Sequence, residues 1–239
     1  MNDKPPPLVP RPEQIAEALR TGRCPEDATF DHFLDDPLRE LSAQYWTPLE
    51  VAVRAAQWLE ECNVRTVVDI GSGAGKFCVA AALAGHCHFT GLEHRERLVS
   101  CARGLARMFK VENRVYFIQG AFGSTNIPAA DAYYLYNPFE ENVMRETERI
   151  DKSVELSDER QTRDLMALRR LLLGARVGTY VLTYNGFGAR LPPAYSEVRV
   201  DRELPNALRM WKKMSPSRSG LLYFGDVGAS TGASAGAAQ

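Results

Sequence analysis

The feature that most constrains this chain is the stretch from Arg65 to Phe77, which reads RTVVDIGSGAGKF. Residues typical of a buried strand lead to Asp69, three glycines follow at alternate positions, and an apolar run of helical character begins after them. Glycine lets the backbone turn sharply and lets a ligand approach the peptide groups closely. The first N–H groups of the following helix lack partners within that helix and can face such a ligand. The stretch therefore predicts a strand, a ligand-binding turn and a helix.

The spacing of the glycines excludes two common nucleotide-binding loops. A phosphate-binding G-x-x-x-x-G-K-[ST] loop needs glycine at position 70 and serine or threonine at position 77, where the chain has Ile70 and Phe77. A dinucleotide fingerprint G-x-G-x-x-G that starts at Gly71 needs its third glycine at position 76, which is Lys76.

The pattern that remains, Asp69-x-Gly71-x-Gly73-x-Gly75, resembles motif I of the class I methyltransferases, which use S-adenosylmethionine (SAM). The resemblance implies an α/β fold with a doubly wound, Rossmann-like, seven-stranded sheet. Such a sheet is mostly parallel with an antiparallel C-terminal strand. We expect a Pro-rich arm and a small helical cap over residues 1–44, the methyltransferase domain over 45–227, and a disordered Ala/Gly/Ser tail over 228–239. Within the first segment, residues 1–12 are expected to be extended, and short helices are expected over 13–20 and 30–41.

Two further positions match the nucleoside end of such a site. Glu93 ends the second predicted strand, about 20 residues after the turn, where an acid can accept hydrogen bonds from ribose hydroxyls. The alternative is that Glu93 only supplies a negative charge at the N-terminus of the following helix. The third predicted strand ends at Gly120-Ala121-Phe122, where many family members carry an acid for the adenine amino group. Because the chain has Ala121 there, we expect adenine to be held by a backbone N–H of Ala121 and by stacking on Phe122.

The segment before the first core helix carries a helix-start signal. Thr47 is predicted to cap that helix, Pro48 to occupy its first turn and Glu50 to complete a capping box. In the resemblance this segment lies over the methionine end of SAM, whereas the alternative makes Tyr45 and Trp46 packing residues. The cofactor-binding residues implied in total are Tyr45, Thr47, Asp69, Gly71, Ser72, Gly73, Gly75, Glu93, Gly120, Ala121 and Asn137.

The fourth predicted strand ends at Asn137-Pro138-Phe139, a partial match to motif IV of amino methyltransferases, commonly Asn-Pro-Pro and an aromatic residue. The resemblance makes these three residues catalytic and favours a nitrogen acceptor on a small molecule or a protein side chain. O-methylation, or a SAM-binding partner subunit without turnover, are the alternatives. A weaker resemblance, over Tyr45 to Phe139, is to the histone lysine methyltransferases that lack a SET domain, at the SAM site only.

The remaining expectations concern the second half of the chain. A charged insertion over 140–158 precedes a helix over 159–173, and its length suggests a substrate lid. The final antiparallel pair is expected at 197–203 and 220–225, with a short helix over 205–213 between them.

Composition narrows the class of partner. Acidic and basic residues nearly cancel, with a formal charge of −1, so a nucleic-acid partner is not expected. No apolar run reaches membrane-spanning length, and we expect a cytoplasmic protein. The sequence His86-Cys87-His88 looks like a metal-ligand cluster, but alternation on a strand sends Cys87 to the face opposite the histidines, so no metal is expected.

Overall fold

The computed structural model describes residues 11–216, which build a seven-stranded sheet flanked by helices. The strands are β1 (Thr66–Ile70), β2 (His88–Glu93), β3 (Val115–Gln119), β4 (Ala132–Tyr136), β5 (Tyr180–Tyr184), β6 (Tyr195–Asp201) and β7 (Leu208–Lys213). Their order is β3-β2-β1-β4-β5-β7-β6. The first five strands are mutually parallel, and β7 is antiparallel to both of its neighbours. This confirms the predicted mixed sheet.

Helices cover both faces of the sheet, as a doubly wound fold requires. They are α1 (Pro12–Arg20), α2 (Asp27–Asp31), α3 (Asp36–Glu40), α4 (Ser42–Tyr45), α5 (Leu49–Glu61), α6 (Lys76–Ala84), α7 (Glu96–Met108) and α8 (Asp158–Gly174). One core cluster joins α1, α5, α6 and α7 to one face of the sheet. A second joins α8 to the other face. The four short helices α1 to α4 form the N-terminal cap, which packs beside α6 and α7.

The cap differs from its prediction in one respect. The expected helix over 30–41 is divided, because α2 ends at Asp31 and α3 begins at Asp36. Pro37 lacks the N–H that a continuous helix would need and stands in the first turn of α3, where no such bond is required. Pro12, expected in the extended arm, is likewise the first residue of α1.

The predicted helix over 205–213 is wrong, because this segment contains β7. Leu208 and Met210 are fully buried and alternate with the less buried Arg209 and Trp211. That is a period of two, which three charged residues among positions 205–213 obscure in the sequence. Arg209 and Lys212 are half-buried, whereas Lys213 is buried and its Nζ donates to backbone carbonyls at the end of α8. β7 therefore pairs with β6 in place of the expected strand at 220–225. That strand, most of the Pro-rich arm and the C-terminal tail lie outside the described residues.

None of the helices between residues 11 and 216 is long and apolar enough to cross a membrane.

Candidate active site

The glycine turn connects β1 to α6 and has the backbone that only glycine adopts without strain. Gly71, Gly73 and Gly75 have φ values of +79°, +53° and +82°. The N–H groups of Gly71 and Ser72 both donate to the carbonyl of Leu92, each at 2.9 Å. The turn is thus fastened to the end of β2, at the carboxyl edge of the parallel strands.

Glu93, the last residue of β2, lies under this turn. Its Oε2 accepts a hydrogen bond from the N–H of Gly73 at 3.1 Å, and its Oε1 accepts one from the N–H of Arg95 at 2.9 Å. Burial raises the pKa of the Glu93 carboxyl, while these backbone N–H groups oppose the shift. The carboxylate is therefore held in a fixed orientation beside the turn rather than exposed at a helix end.

A cavity of about 300 Å³ opens above the turn, at the lower end of the volumes that small-molecule sites occupy. It is lined by eight of the predicted site residues. These are Tyr45, Gly71, Gly73, Glu93, Gly120, Asn137, Pro138 and Phe139. The cavity therefore brings together predicted residues from the cap, the turn and the ends of three strands.

A smaller pocket of about 20 Å³ adjoins the cavity at Tyr45, Trp46, Gly71 and Tyr136. Three further predicted residues line it: Thr47, Asp69 and Ser72. Gly75 and Ala121 line neither space. A Cβ at Gly75 would come within 2.7 Å of Ala102 and of the Phe117 ring, so this glycine permits close packing of the turn on α7 and β3. A cofactor role for each of these residues stays a prediction.

Asp69 is buried behind the turn. Its Oδ2 accepts a hydrogen bond from the Sγ of Cys78 at 3.3 Å. Burial raises its pKa to about 7; the Cys78 bond opposes the shift and the nearby Glu93 charge adds to it. Near neutral pH this carboxyl is therefore partly protonated and can itself donate a hydrogen bond.

The predicted capping box at Thr47 does not form. The N-cap of α5 is Pro48, and the N–H of Leu49 is satisfied by Asp27 Oδ1 in the cap, at 2.9 Å. The buried hydroxyl of Thr47 instead lies 3.0 Å from the hydroxyl of Tyr134 on β4. Pro48 has an extended backbone, so the helix begins one residue later than the sequence signal indicates.

Trp46 and Tyr45 form the part of the cavity wall that the cap supplies. The indole N–H of Trp46 donates to the carbonyl of Leu38 at 3.1 Å, and its ring lies directly against Gly73. The Tyr45 hydroxyl donates to the carbonyl of Glu148 in the insertion. Tyr45 thus joins the cap to the insertion across the cavity.

Asn137 follows β4 in a left-handed conformation, with φ of +41°. Its backbone N–H donates to the carbonyl of Gly186 at 3.2 Å, and its Nδ2 donates to Glu140 Oε2 at 2.7 Å. The side-chain carbonyl of Asn137 is therefore the polar group left to face a ligand. Phe139 is buried beside Phe122, with ring centroids 5.5 Å apart.

The insertion over 140–158 covers the cavity with two short 3-10 turns, Glu140–Val143 and Glu146–Glu148. Its Met144, Ile150 and Leu156 line the cavity, and a lid role for the insertion stays a prediction. Arg95, only 3% exposed, holds this segment: its Nη2 lies 2.7 Å from Glu141 Oε1 and its Nε 3.0 Å from Asp151 Oδ1.

Several lining residues were missed by the sequence analysis. They are His94, Arg95, Asn142, Arg160 and Asp164. Burial and the neighbouring Arg95 lower the pKa of His94 to about 4, so its ring is neutral at physiological pH. The one local signal was that His94 and Arg95 directly follow the ribose-type acid; the others reach the site only through the folding of the insertion and α8.

Between residues 11 and 216, no group of three His, Cys, Asp or Glu side chains is arranged so that it could hold a metal ion. The alternation predicted at the start of β2 is confirmed, because His86 and His88 are exposed while Cys87 is buried.

Known proteins resemble this chain in sequence and in fold. Residues 63–152 match the family model described as "Methyltransferase domain". No curated protein matches the chain. The described fold therefore carries, over residues 63–152, a stretch that matches a methyltransferase domain.

Solved structures similar to this chain include two crystallised with S-adenosyl-L-homocysteine. One is an RNA methyltransferase from Salinibacter ruber, with 24% identity, a TM-score of 0.50, and coverage of 70% of this chain and 93% of that chain. The other is an O-methyltransferase from Bacillus cereus, with 12% identity, a TM-score of 0.54, and coverage of 84% and 96%. At these identities the similarity shows the fold, not the acceptor.

Proposed function

We propose that the cavity above the glycine turn binds SAM and that the protein transfers its methyl group to a nitrogen acceptor. The observation that carries the proposal is the contact between Glu93 and Gly73. A buried carboxylate is fixed against a glycine turn at the carboxyl edge of the sheet, where doubly wound folds bind nucleosides. The solved relatives that hold S-adenosylhomocysteine (SAH) support the same ligand.

The described residues fit this cofactor. The positive φ values of the turn allow a close approach, and Glu93 keeps carboxylate lone pairs that its two N–H partners do not use. When bound, SAM supplies a methyl group that is already activated by the sulfonium, so no metal or catalytic triad is required. The protein must then position the acceptor, exclude water and accept a proton.

Asn137 is the residue suited to orient an amine. Because its Nδ2 is bonded to Glu140, its Oδ1 is available to accept an N–H bond and to direct the nitrogen lone pair toward the methyl group. A C–N bond forms as the S–CH3 bond breaks, and the sulfur keeps the bonding electron pair. The methylated nitrogen then releases a proton, and the exposed carboxylate of Glu140 is placed to pass it to solvent. The exposed carboxylate of Glu140 also gives this side of the cavity a negative charge that favours a cationic amine. Such an amine loses one proton to solvent before the attack, because only the neutral nitrogen has a lone pair.

The proposal separates two roles that the Asn137→Ala variant can measure. SAH affinity, measured by calorimetry, should stay within a few-fold, while turnover falls by about 10² to 10³, the range for loss of a positioned polar group. The acceptor is first identified by mass spectrometry of cell extracts incubated with methyl-labelled SAM.

Glu140→Gln is the matched control, since glutamine keeps an oxygen for the Asn137 bond but removes the charge. It should reduce turnover less than Asn137→Ala. Joint loss of SAH binding and activity in Asn137→Ala would make the residue a cofactor or folding determinant. Label found only on oxygen would contradict the nitrogen acceptor, and binding without any labelled product would favour a partner subunit.

A further inference from the structure

Lys76 is a buried cation whose role the proposed reaction does not explain. It is the first residue of α6, directly after Gly75, and is only 2% exposed. A positive charge at a helix N-terminus opposes the helix dipole, and burial of an ammonium group is costly unless it is paired. The ammonium group of Lys76 therefore needs charged or polar partners at this position.

All the partners of Lys76 come from the cap. Its Nζ lies 2.6 Å from Asp27 Oδ1 and 2.7 Å from Asp31 Oδ1, and it donates to Ser42 Oγ at 3.1 Å. The contact with Asp31 is an ion pair without the directionality of a hydrogen bond. Asp27 Oδ1 also accepts the N–H of Leu49, so one cap residue is tied to the starts of both α5 and α6.

The same cap supplies one wall of the cavity. Ser42 begins α4, which ends at Tyr45 and is followed directly by Trp46. The Trp46 ring presses on Gly73, three residues before Lys76. Any movement of the cap away from Lys76 would thus also move the cavity wall away from the glycine turn.

We propose that Lys76 is a positioning residue that couples cap docking to cofactor binding. The ion cluster of Lys76, Asp27 and Asp31 holds the cap on the glycine turn, so that Tyr45 and Trp46 close the site around the bound cofactor. By linkage, the cofactor must stabilise the docked cap by the same factor as the docked cap increases cofactor affinity. This inference depends on SAM being the ligand, as proposed above.

The competing explanation is that the cluster only stabilises the fold. The chain offers a matched control in the Arg54–Asp201 pair, whose Nη1 and Oδ2 lie 2.6 Å apart and whose Asp201 is equally buried. This pair joins α5 to β6, and neither residue lines the cavity. Arg54→Met therefore removes an ion pair with a buried acid without touching the cap.

The test compares Lys76→Met, Asp31→Asn and Arg54→Met with the parent protein. SAH dissociation constants are measured by calorimetry, unfolding by thermal melts, and protection of residues 12–46 by hydrogen exchange with and without SAH.

All three variants should melt at a lower temperature than the parent. SAH should bind at least tenfold more weakly to Lys76→Met, several-fold more weakly to Asp31→Asn, and within about twofold of the parent to Arg54→Met. SAH should slow exchange in residues 12–46 of the parent and of Arg54→Met but not of Lys76→Met.

The outcomes separate the two proposals. Unchanged SAH affinity in folded Lys76→Met, or in folded Asp31→Asn if the first variant does not fold, would reduce the cluster to a structural role. A loss of SAH affinity in Arg54→Met equal to that in Lys76→Met would also reduce the cluster to a structural role. A parent protein that binds SAH without slowing exchange in the cap would overturn the coupling alone, whereas a parent that does not bind SAH would overturn the proposed function and the coupling with it.

Discussion

Gly73 is the residue at which the two halves of the site meet. Its N–H is bonded to Glu93 below the turn, and its α-carbon faces the Trp46 ring from the cap. A Cβ there would lie 2.3 Å from the indole, far inside contact distance. The sequence explains the glycines of the turn by the close approach of a ligand, whereas in the structure a side chain at Gly73 would collide with the cap.

This geometry predicts different results for two glycines with positive φ. Gly22 has φ of +75° and open space around its α-carbon, so Gly22→Ala should cost only the strain of a left-handed alanine, about 1 kcal/mol. Gly73→Ala adds the clash with the indole and should cost at least twice as much and abolish SAH binding. Urea unfolding and calorimetry measure both effects. Equal stability losses in the two variants would show that the Trp46 contact is not close.

The Thr47–Tyr134 pair predicts a second result at this scale. Thr47→Ala leaves the buried Tyr134 hydroxyl without its partner and should cost roughly 1 to 3 kcal/mol of unfolding free energy. Tyr134→Phe should cost a similar amount, and the double variant should cost clearly less than the sum, because both hydroxyls are then removed. Strict additivity in a denaturation cycle would mean that Thr47 acts elsewhere, for example as the helix cap its sequence position suggested.

At the scale of elements, the sequence predicted those features that depend on residues close together in the chain. The glycine turn, the carboxyl ends of β2, β3 and β4, the start of α5 and the helix α8 follow from residues within each segment and agree with the structure to within a few positions. The β7 segment was misassigned because its charged residues obscured a two-residue period. The carboxylate partners of Lys76 and Arg95 were not predictable, since ion pairs between residues about 45 to 56 positions apart leave no periodic signal.

The insertion is the element whose attachment is most easily tested. Asp151→Asn weakens the ion pair with buried Arg95 and should speed hydrogen exchange over residues 140–158 and SAH dissociation by about threefold to tenfold, the loss of one charge-assisted hydrogen bond. Glu155→Gln is the control, because the Glu155–Arg163 pair is exposed and should contribute little. If both variants release SAH at the parental rate, the insertion does not control access to the cavity.

At the scale of the whole molecule, the cavity is built from parts that are distant in the chain. The cap closes it from one side through Lys76, and the insertion closes it from the other through Arg95. Each of these buried cations binds two carboxylates of the segment that it holds. Each also follows within two residues of a predicted cofactor residue, Gly75 or Glu93. The residues that form the floor of this cavity, the glycine turn and Glu93, were singled out from the sequence, whereas its two covers could be understood only from the structure.

The most direct test of this account is calorimetric titration of the parent protein and of Glu93→Ala with SAH. The parent should bind SAH in the low micromolar range. Glu93→Ala should bind it more weakly by roughly 1 to 3 kcal/mol, because a charge-assisted hydrogen bond to the ribose is lost and the Gly73 N–H is left without its partner. Absence of heat and of any thermal shift with SAH or SAM, in parent protein shown to be folded, would contradict the account. So would parental affinity in Glu93→Ala.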